Sequence, residues 1–137
     1  MAAIAKSGTP SLCSVEPQQG DSITGLFAGE ALTEFDACYI KSDGLVMLAT
    51  AAAADAKGYV RGYASRAVAA GQPITLYREC RVRYGAGLTP GANVFLSAAT
   101  PGALADAAGA HAPNAIGYVV DATRIQLWET REGAPQA

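Results

Sequence analysis

Charge is scarce in this chain: charged residues make up 16% of its 137 residues, against roughly 25% in an average globular protein. A surface with so little charge is often covered by further copies of the same chain or by a larger assembly. Ten basic and twelve acidic residues leave a net charge of −2. Because there is no basic excess, the sequence predicts no nucleic-acid partner.

Long apolar runs and a cysteine framework are also missing. No stretch approaches the roughly 18 apolar residues of a transmembrane helix, and residues 1–6 lack a signal-peptide pattern, so we expect no membrane partner. Cys13, Cys38 and Cys80 are odd in number and far apart. We therefore expect neither a disulfide framework nor a zinc site. We expect reduced thiols, as in a cytosolic protein. We expect Cys38 and Cys80 to be small core residues.

Glycine and proline recur too often for long helices, which excludes a helical bundle. The length suits one domain. Within it, residues 1–21 are polar and small, and they predict an extended N-terminal arm with few contacts of its own. Residues 22–129 predict a single β domain, and residues 130–137 predict a polar tail.

Turn chemistry divides residues 22–129 into short strands. Asp43–Gly44 predicts a tight turn between two strands, and Gly71–Pro73 predicts another. Cys80, Val82 and Tyr84 alternate with charged residues, which is the period-2 pattern of a half-buried strand. Thr89–Gly91 and Thr100–Gly102 each place proline before glycine, as type II turns require. Residues 103–114 predict a loop of small residues.

The chain also nearly repeats itself. Three runs in one half return in the same order in the other half. The first match pairs Leu32–Thr33 and Cys38–Ile40 with Leu88–Thr89 and Val94–Leu96. The second pairs Gly58–Val60 with Gly117–Val119, and the third pairs Ile74–Tyr77 with Ile125–Trp128. One half alone cannot bury its apolar face, so the two halves are expected to share a core. The predicted fold is all-β, a small barrel or sandwich of about 8–10 short strands with two similar halves, about 28–79 and 85–129.

Side chains in a catalytic arrangement are hard to find. His111 is the single histidine, and no partner that would orient it for a triad or a metal can be identified. Gly85–Gly87 resembles the start of a dinucleotide fingerprint, but Pro90 replaces the third glycine and a strand follows, so a turn is predicted. The acidic residues show no paired spacing. We expect no enzyme activity, no catalytic residue, no metal and no cofactor.

Arg78, Arg81 and Arg83 form the one dense charge cluster. Arg81 and Arg83 are expected to share a sheet face with Glu79, which leaves two interpretations: a solvated face, or a contact for an acidic protein patch. Tyr77 and Trp128 hold equivalent places in the repeat, which favours packing or subunit contact over ligand stacking.

Residues 87–97, 101–104 and 116–125 together resemble a run found in the capsid decoration (cement) proteins of tailed bacteriophages. The run reads GLTPGANVFLS, then PGAL, then IGYVVDATRI. The likeness covers about residues 23–128, because residues 28–60 are also similar to the opening segment of that family. The alanine-rich stretches at 49–56 and 103–112 depart from its pattern.

This resemblance implies a structural protein of the virion. Such proteins bind the major capsid protein on the outer surface of the head, commonly as homotrimers, and they stabilise the shell. The family's N-terminal arm often orders on the capsid by adding a strand to the shell protein. The candidate contact residues are then Ile4, Leu12 and Val15 in the arm, and Arg78, Arg81 and Arg83 in the body.

Two other functions stay open at this point. A receptor- or carbohydrate-binding module of a phage fibre or tail needs exposed aromatic side chains on one face, and Tyr59, Tyr63 and Tyr84 are the candidates. A small β-barrel hydrolase would depend on His111.

Overall fold

The structure of the chain, a computed structural model, describes residues 3–6, 8–12, 22–52, 56–108 and 114–130. These residues contain a 3-10 turn at Ala56–Gly58 and no helix long and apolar enough to cross a membrane. Their strands are β1 (Ala3–Ile4), β2 (Ser11–Leu12), β3 (Ser22–Ala28), β4 (Ala37–Ile40), β5 (Leu45–Leu48), β6 (Gly62–Ala64), β7 (Pro73–Tyr77), β8 (Glu79–Arg83), β9 (Asn93–Leu96), β10 (Leu104–Ala105), β11 (Gly117–Val119) and β12 (Arg124–Trp128). The prediction of an all-β fold is confirmed.

Strands β3 to β7, which we call the first half, form a closed barrel in the order β3-β5-β4-β6-β7. Four of its pairings are antiparallel, and the β3–β5 pairing that completes the ring is parallel. Closure leaves no free strand edge in this half. Alternate side chains point inward and fill the barrel, as period 2 requires: Ala28, Cys38, Val46, Ala64, Ile74 and Leu76.

Strands β8 to β12, the second half, repeat the strand order of the first. The sequence β10-β9-β11-β12-β8 in the second sheet corresponds strand for strand to β5-β4-β6-β7-β3 in the barrel. All four of these pairings are antiparallel, like their counterparts. The chain therefore contains the same five-stranded unit twice.

Hydrogen bonds at the entrance to β4 and β9 show how closely the halves agree. The Asp36 amide donates to the Thr33 carbonyl at 3.1 Å, and the Ala92 amide donates to the Thr89 carbonyl at 3.2 Å. The third residue of each turn has a positive φ, 84° at Gly91 and 61° at Phe35. A non-glycine residue there costs about 1–2 kcal/mol. Burial of the Phe35 ring, which stacks on Tyr77 at 6.0 Å, offsets that cost.

The strand register corrects two of the predicted repeat matches. Cys38 pairs with Gly62, and its counterpart Val94 pairs with Gly117. The counterpart of Gly117–Val119 is therefore Gly62–Ala64, and the prediction of Gly58–Val60 was wrong. In the first half Tyr63 pairs with Tyr77, and in the second half its counterpart Tyr118 pairs with Gln126. Tyr77 therefore corresponds to Gln126, and the predicted match of Tyr77 with Trp128 was wrong.

Gly62 and Gly117 hold the same place because the neighbouring strand passes close to each. A Cβ atom added at Gly62 would lie 2.7 Å from Cβ of Leu76, and one added at Gly117 would collide with the carbonyl oxygen of Gln126. Backbone atoms cannot move aside as a flexible side chain can. This requirement for glycine at the start of β6 and β11 is a local reason why the Gly-Tyr pair occurs in both halves.

The N-terminal segment belongs to the second half. β1 pairs with β10 and β2 pairs with β8, so these two short strands form the two edges of the seven-stranded sheet. In the first half the corresponding strands, β5 and β3, pair with each other directly. The prediction of an arm with few contacts was wrong for residues 3–6 and 8–12. Ile4 and Leu12 are half-buried against the core instead of extending away from the body.

The larger core is shared by the two halves, as the sequence predicts. It combines the interior of the second half with the outer face of β4 and β6 in the first. Tyr63 is fully buried there, and its hydroxyl donates to the carbonyl of Trp128 at 2.8 Å. Beside it, the Thr130 and Val60 backbones are joined by a 2.9 Å hydrogen bond. Thr130 is the one described residue of the predicted tail, and the rest of 130–137 lies outside the described residues.

One local prediction differs from the structure. The loop predicted over 103–114 contains β10, whose two residues are buried. Within the described part of the chain the body has ten strands, which is inside the predicted range, and β1 and β2 add two more. Cys38 and Cys80 are both buried, as predicted. Burial raises the pKa of the Cys38 thiol, helped by the nearby Asp36 carboxylate, so this thiol stays protonated.

Candidate functional site

The outer face of the second half carries exposed polar, aromatic and charged side chains. Strands β9, β11, β12 and β8 lie side by side there, and every second residue points away from the core. The register aligns Asn93, Tyr118, Gln126 and Arg81 in one row across the four strands. Amide, phenol and guanidinium groups thus lie next to one another on this face of the sheet.

An aromatic patch occupies the middle of this face. We define the patch by Asn93, Phe95, Tyr118, Gln126 and Trp128. The rings of Tyr118 and Trp128 lie 6.0 Å apart at an interplanar angle of 48°. The Trp128 indole donates to the Ala115 carbonyl at 3.2 Å, which fixes the orientation of the ring. Tyr118 keeps 41% of its surface exposed, which makes it one of two exposed large apolar side chains among the described residues; the other is Phe27 at 51%.

An arginine edge lies beside the patch, and we define it by Arg81 and Arg83 of β8. Glu79, Arg81 and Arg83 are exposed and alternate with buried Cys80 and Val82, which confirms the predicted shared face. The Arg81 guanidinium donates to the side-chain carbonyl of Gln126 at 3.2 Å. Within the described ranges, neither Arg81 nor Arg83 has a carboxylate at ion-pair distance.

The other nearby arginines are neutralised. Arg78 lies before β8 and donates twice to one carboxylate oxygen of Glu129, at 2.6 and 2.9 Å. Arg124 pairs with Asp121 at 2.7 Å. Backbone donation from Thr123, together with Arg124, lowers the pKa of Asp121 to about 2, so the pair is charged at neutral pH. Arg81 and Arg83 therefore supply the positive charge on this face that no ion pair among the described residues neutralises, and the Glu79 carboxylate on the same strand face offsets part of it.

The arm is tied to the first half by one ionic contact. Lys6 donates to Asp36 at 2.7 Å and to the Thr33 hydroxyl at 3.1 Å. Asp36 in turn accepts hydrogen bonds from the Thr33 backbone and hydroxyl. The Lys6 ammonium also lies 5.9 Å from the centre of the Tyr84 ring, within cation–π range. This contact joins the arm, the first half and the second half at one point.

The predicted contact residues differ in how much of each is exposed to a partner. Arg81 and Arg83 are exposed on one face, and Arg78 is exposed but paired. Ile4 and Leu12 pack against the core, which leaves less of each side chain for a partner. Val15 lies outside the described residues.

The aromatic residues proposed for carbohydrate stacking are not exposed together. Tyr63 and Tyr84 are buried, with 0% and 1% of their surfaces exposed, so they cannot stack on a sugar. Burial raises the pKa of both hydroxyls. Tyr59 is half-buried under Arg61, whose guanidinium lies 4.5 Å from the ring centre. The sequence identified the wrong aromatic set because burial of the face around Tyr63 comes from packing between the halves.

Other positions singled out in the sequence carry no site. Gly85–Gly87 is a turn, as predicted, with a φ of 67° at Gly87. Among the described residues, no group of three histidine, cysteine, aspartate or glutamate side chains could hold a metal ion. His111 lies outside the described residues.

Two clefts border the arm. One of about 310 Å³ is lined by Lys6, Asp36 and Tyr84 among others. Another of about 270 Å³ lies on the other side of Ile4, along Gly87 and Leu88. The first lining combines the Lys6–Asp36 pair with Tyr84 and Thr100, and the second combines small and aliphatic residues with Thr89, Asn93 and Asp106.

No protein-family model matches the chain, and a search of curated proteins finds no matching sequence. The site must therefore be interpreted from its own geometry and from the sequence resemblance.

Proposed function

We propose that this chain is a structural protein of a bacteriophage head, which binds the major capsid protein on the outside of the shell and stabilises it. The proposal rests on one observation above all. The segments that resemble decoration proteins, residues 87–97, 101–104 and 116–125, supply β9, β10, β11 and the start of β12. They include Asn93, Phe95 and Tyr118 of the aromatic patch, whereas Gln126, Trp128 and the arginine edge lie outside them.

The arginine edge fits a role in shell contact. An acidic patch on a partner would gain from these two guanidinium groups, which have no carboxylate at ion-pair distance among the described residues and lie on one strand. Arginine is also enriched at protein interfaces. In this proposal Arg81 and Arg83 face the shell protein, and Arg78 remains occupied by Glu129.

Stabilisation follows from binding alone. A ligand that prefers the assembled shell lowers the free energy of that state relative to the disassembled one. Copies that associate, for example as a homotrimer, engage several shell subunits together, which multiplies apparent affinity by about 10²–10⁴. No catalytic residue, cofactor or metal takes part in this mechanism.

The arm has a different role from the one first expected. Strands β1 and β2 complete the chain's own second sheet, so strand addition to the shell protein would require them to leave it. A deletion of residues 1–20 would therefore test folding and head binding at once. Charge reversal on the arginine edge separates the two effects.

We expect the double variant Arg81→Glu with Arg83→Glu to bind expanded heads about tenfold more weakly, because each reversal replaces attraction by repulsion at an exposed contact. Binding is measured by co-sedimentation of the protein with heads that lack it. The matched control is Lys57→Glu with Arg66→Glu, which makes the same charge change at two exposed positions away from β8. Equal binding by both double variants would remove the arginine edge from the proposal.

A second function is favoured by one feature, the aromatic patch. Exposed Tyr118 and half-buried Trp128 lie beside the amides of Asn93 and Gln126, a combination that also suits a receptor or a carbohydrate. The chain would then be a binding module of a fibre or tail. Fibre and tail modules occur in few copies per particle, whereas a shell protein occurs in numbers comparable with its capsid partner.

A further inference from the structure

The contact between the two halves uses unlike surfaces. The first half contributes the outer face of β4 and β6, where Ala37, Tyr39 and Tyr63 are buried. The second half contributes its β9–β10 connection, residues 97–103, together with the end of β12. Gly102 accepts from the Ala37 amide at 2.9 Å and donates to the Ala49 carbonyl at 2.7 Å. The contact is therefore heterologous: a sheet face of one unit meets a hairpin connection of the other.

Because the unit occurs twice, each of these two surfaces has a counterpart. The counterpart of the face around Tyr63 is the aromatic patch, since Tyr63 corresponds to Tyr118 and Tyr39 to Phe95 in the register. Aromatic side chains occupy both positions in both halves. In the first half they are buried, whereas in the second half Tyr118 is exposed and Phe95 is half-buried.

The counterpart of residues 97–103 is the β4–β5 connection. The Ser97 amide donates to the Ala103 carbonyl at 3.0 Å, and the Lys41 amide donates to the Leu45 carbonyl at 2.9 Å. Residues 41–44, which we call the hairpin tip, are all exposed. The sheet face and the hairpin connection are thus each buried once, in the contact between the halves, and each exposed once, as the aromatic patch and the hairpin tip.

We propose that a second copy of this chain covers the aromatic patch by docking its hairpin tip there. The heterologous contact forms once inside the chain and leaves one aromatic patch and one hairpin tip exposed. The tip of one copy can therefore bind the patch of the next, which joins the copies head to tail. In this pairing Asp43 of the tip, whose carboxylate lies 3.5 Å from the ammonium of Lys41 in the same tip, would approach the arginine edge beside the patch. The tip is more polar than its counterpart, so a weak and reversible association is expected.

The proposal needs no capsid and is tested on the isolated full chain. Sedimentation equilibrium over about 1–500 µM is expected to show concentration-dependent association of the wild type. Tyr118→Ser, which removes the centre of the patch, and Ser42→Arg, which adds bulk to the tip without altering Gly44, are each expected to give monomers. Phe27→Ser is the matched control: it removes an equally exposed aromatic ring from β3 and should associate like the wild type.

Mixing the two variants distinguishes a heterologous contact from a face-to-face one. Tyr118→Ser retains an intact tip and Ser42→Arg an intact patch, so an equimolar mixture is expected to form heterodimers and nothing larger. A wild type that stays monomeric over the whole range overturns the proposal, and so does Ser42→Arg that still associates. Either result leaves head binding by the chain untouched, so the two proposals fail separately.

Discussion

Replacing Tyr63 with alanine is expected to lower the free energy of unfolding by about 3–5 kcal/mol, as large aromatic truncations in a core do. The same change at Tyr118 is expected to cost less than about 1 kcal/mol. The two tyrosines occupy equivalent positions in the two halves, so local strand propensity is nearly the same. The difference measures the contact between the halves, because Tyr63 is fully buried and Tyr118 is 41% exposed.

The measurement is equilibrium unfolding in urea for both variants and the wild type. The free energies can be compared if the slope of free energy against urea concentration is the same for all three.

Tyr63→Phe removes the hydroxyl and keeps the ring, so it measures the contribution of the hydroxyl alone. Burial raises the Tyr63 pKa, so the hydroxyl remains protonated and donates to the Trp128 carbonyl. Its removal is expected to cost about 1–2 kcal/mol. Similar losses for Tyr63→Ala and Tyr118→Ala would contradict packing of the first half's outer face against the second half.

The second large effect is expected in the arm. The double variant Ile4→Asp with Leu12→Asp should lower the free energy of unfolding by about 3 kcal/mol or more, since each change places a carboxylate against the apolar core. Both residues lie in strands that pair with the ends of the second sheet, and both side chains pack on the shared core.

Thr9→Asp is the control for this prediction, because Thr9 lies between the same two strands and is exposed. It should change stability by less than about 0.5 kcal/mol. Hydrogen exchange provides a second measurement: in the double variant, the amides of β8 and β10 should lose protection along with the arm. If the double variant were as stable as Thr9→Asp, residues 3–12 would not be an integral part of the body.

The sequence could predict much of the fold because turn chemistry is local. Proline followed by glycine at residues 90–91 and 101–102 specified turns whose glycines do have positive φ. Alternation around Cys80 and Val82 specified the faces of β8. The strand β10 was missed because its two residues, Leu104 and Ala105, lie among alanines and are too few to show a period.

The repeat was recognised, but its alignment was partly wrong for a physical reason. Gly58–Tyr59–Val60 matches Gly117–Tyr118–Val119 by residue type, whereas the sheet aligns Gly62 with Gly117. The determining constraint is the close approach of the neighbouring strand to the glycine Cα. This close contact depends on which strands pair in the folded protein, and the residues next to the glycine in the sequence do not predict that pairing.

The site could be predicted only in part. The shared face of Arg81 and Arg83 followed from period 2, but the pairing of Arg78 with Glu129 joins residues 51 positions apart. The aromatic patch had a sequence signal in the alternation of Gln126 and Trp128 with buried Ile125 and Leu127. What the sequence could not indicate was which of the two equivalent tyrosines, Tyr63 or Tyr118, is covered by the other half.

The proposed function is tested most directly by counting the copies of this chain in purified phage particles. Quantitative mass spectrometry with labelled peptides of this chain and of the major capsid protein gives the ratio. A head decoration protein is expected at a fixed ratio comparable with that of the shell protein, and its peptides should be lost when the heads are stripped. Absence from the particle, or a handful of copies that remain with the tail, would contradict the account.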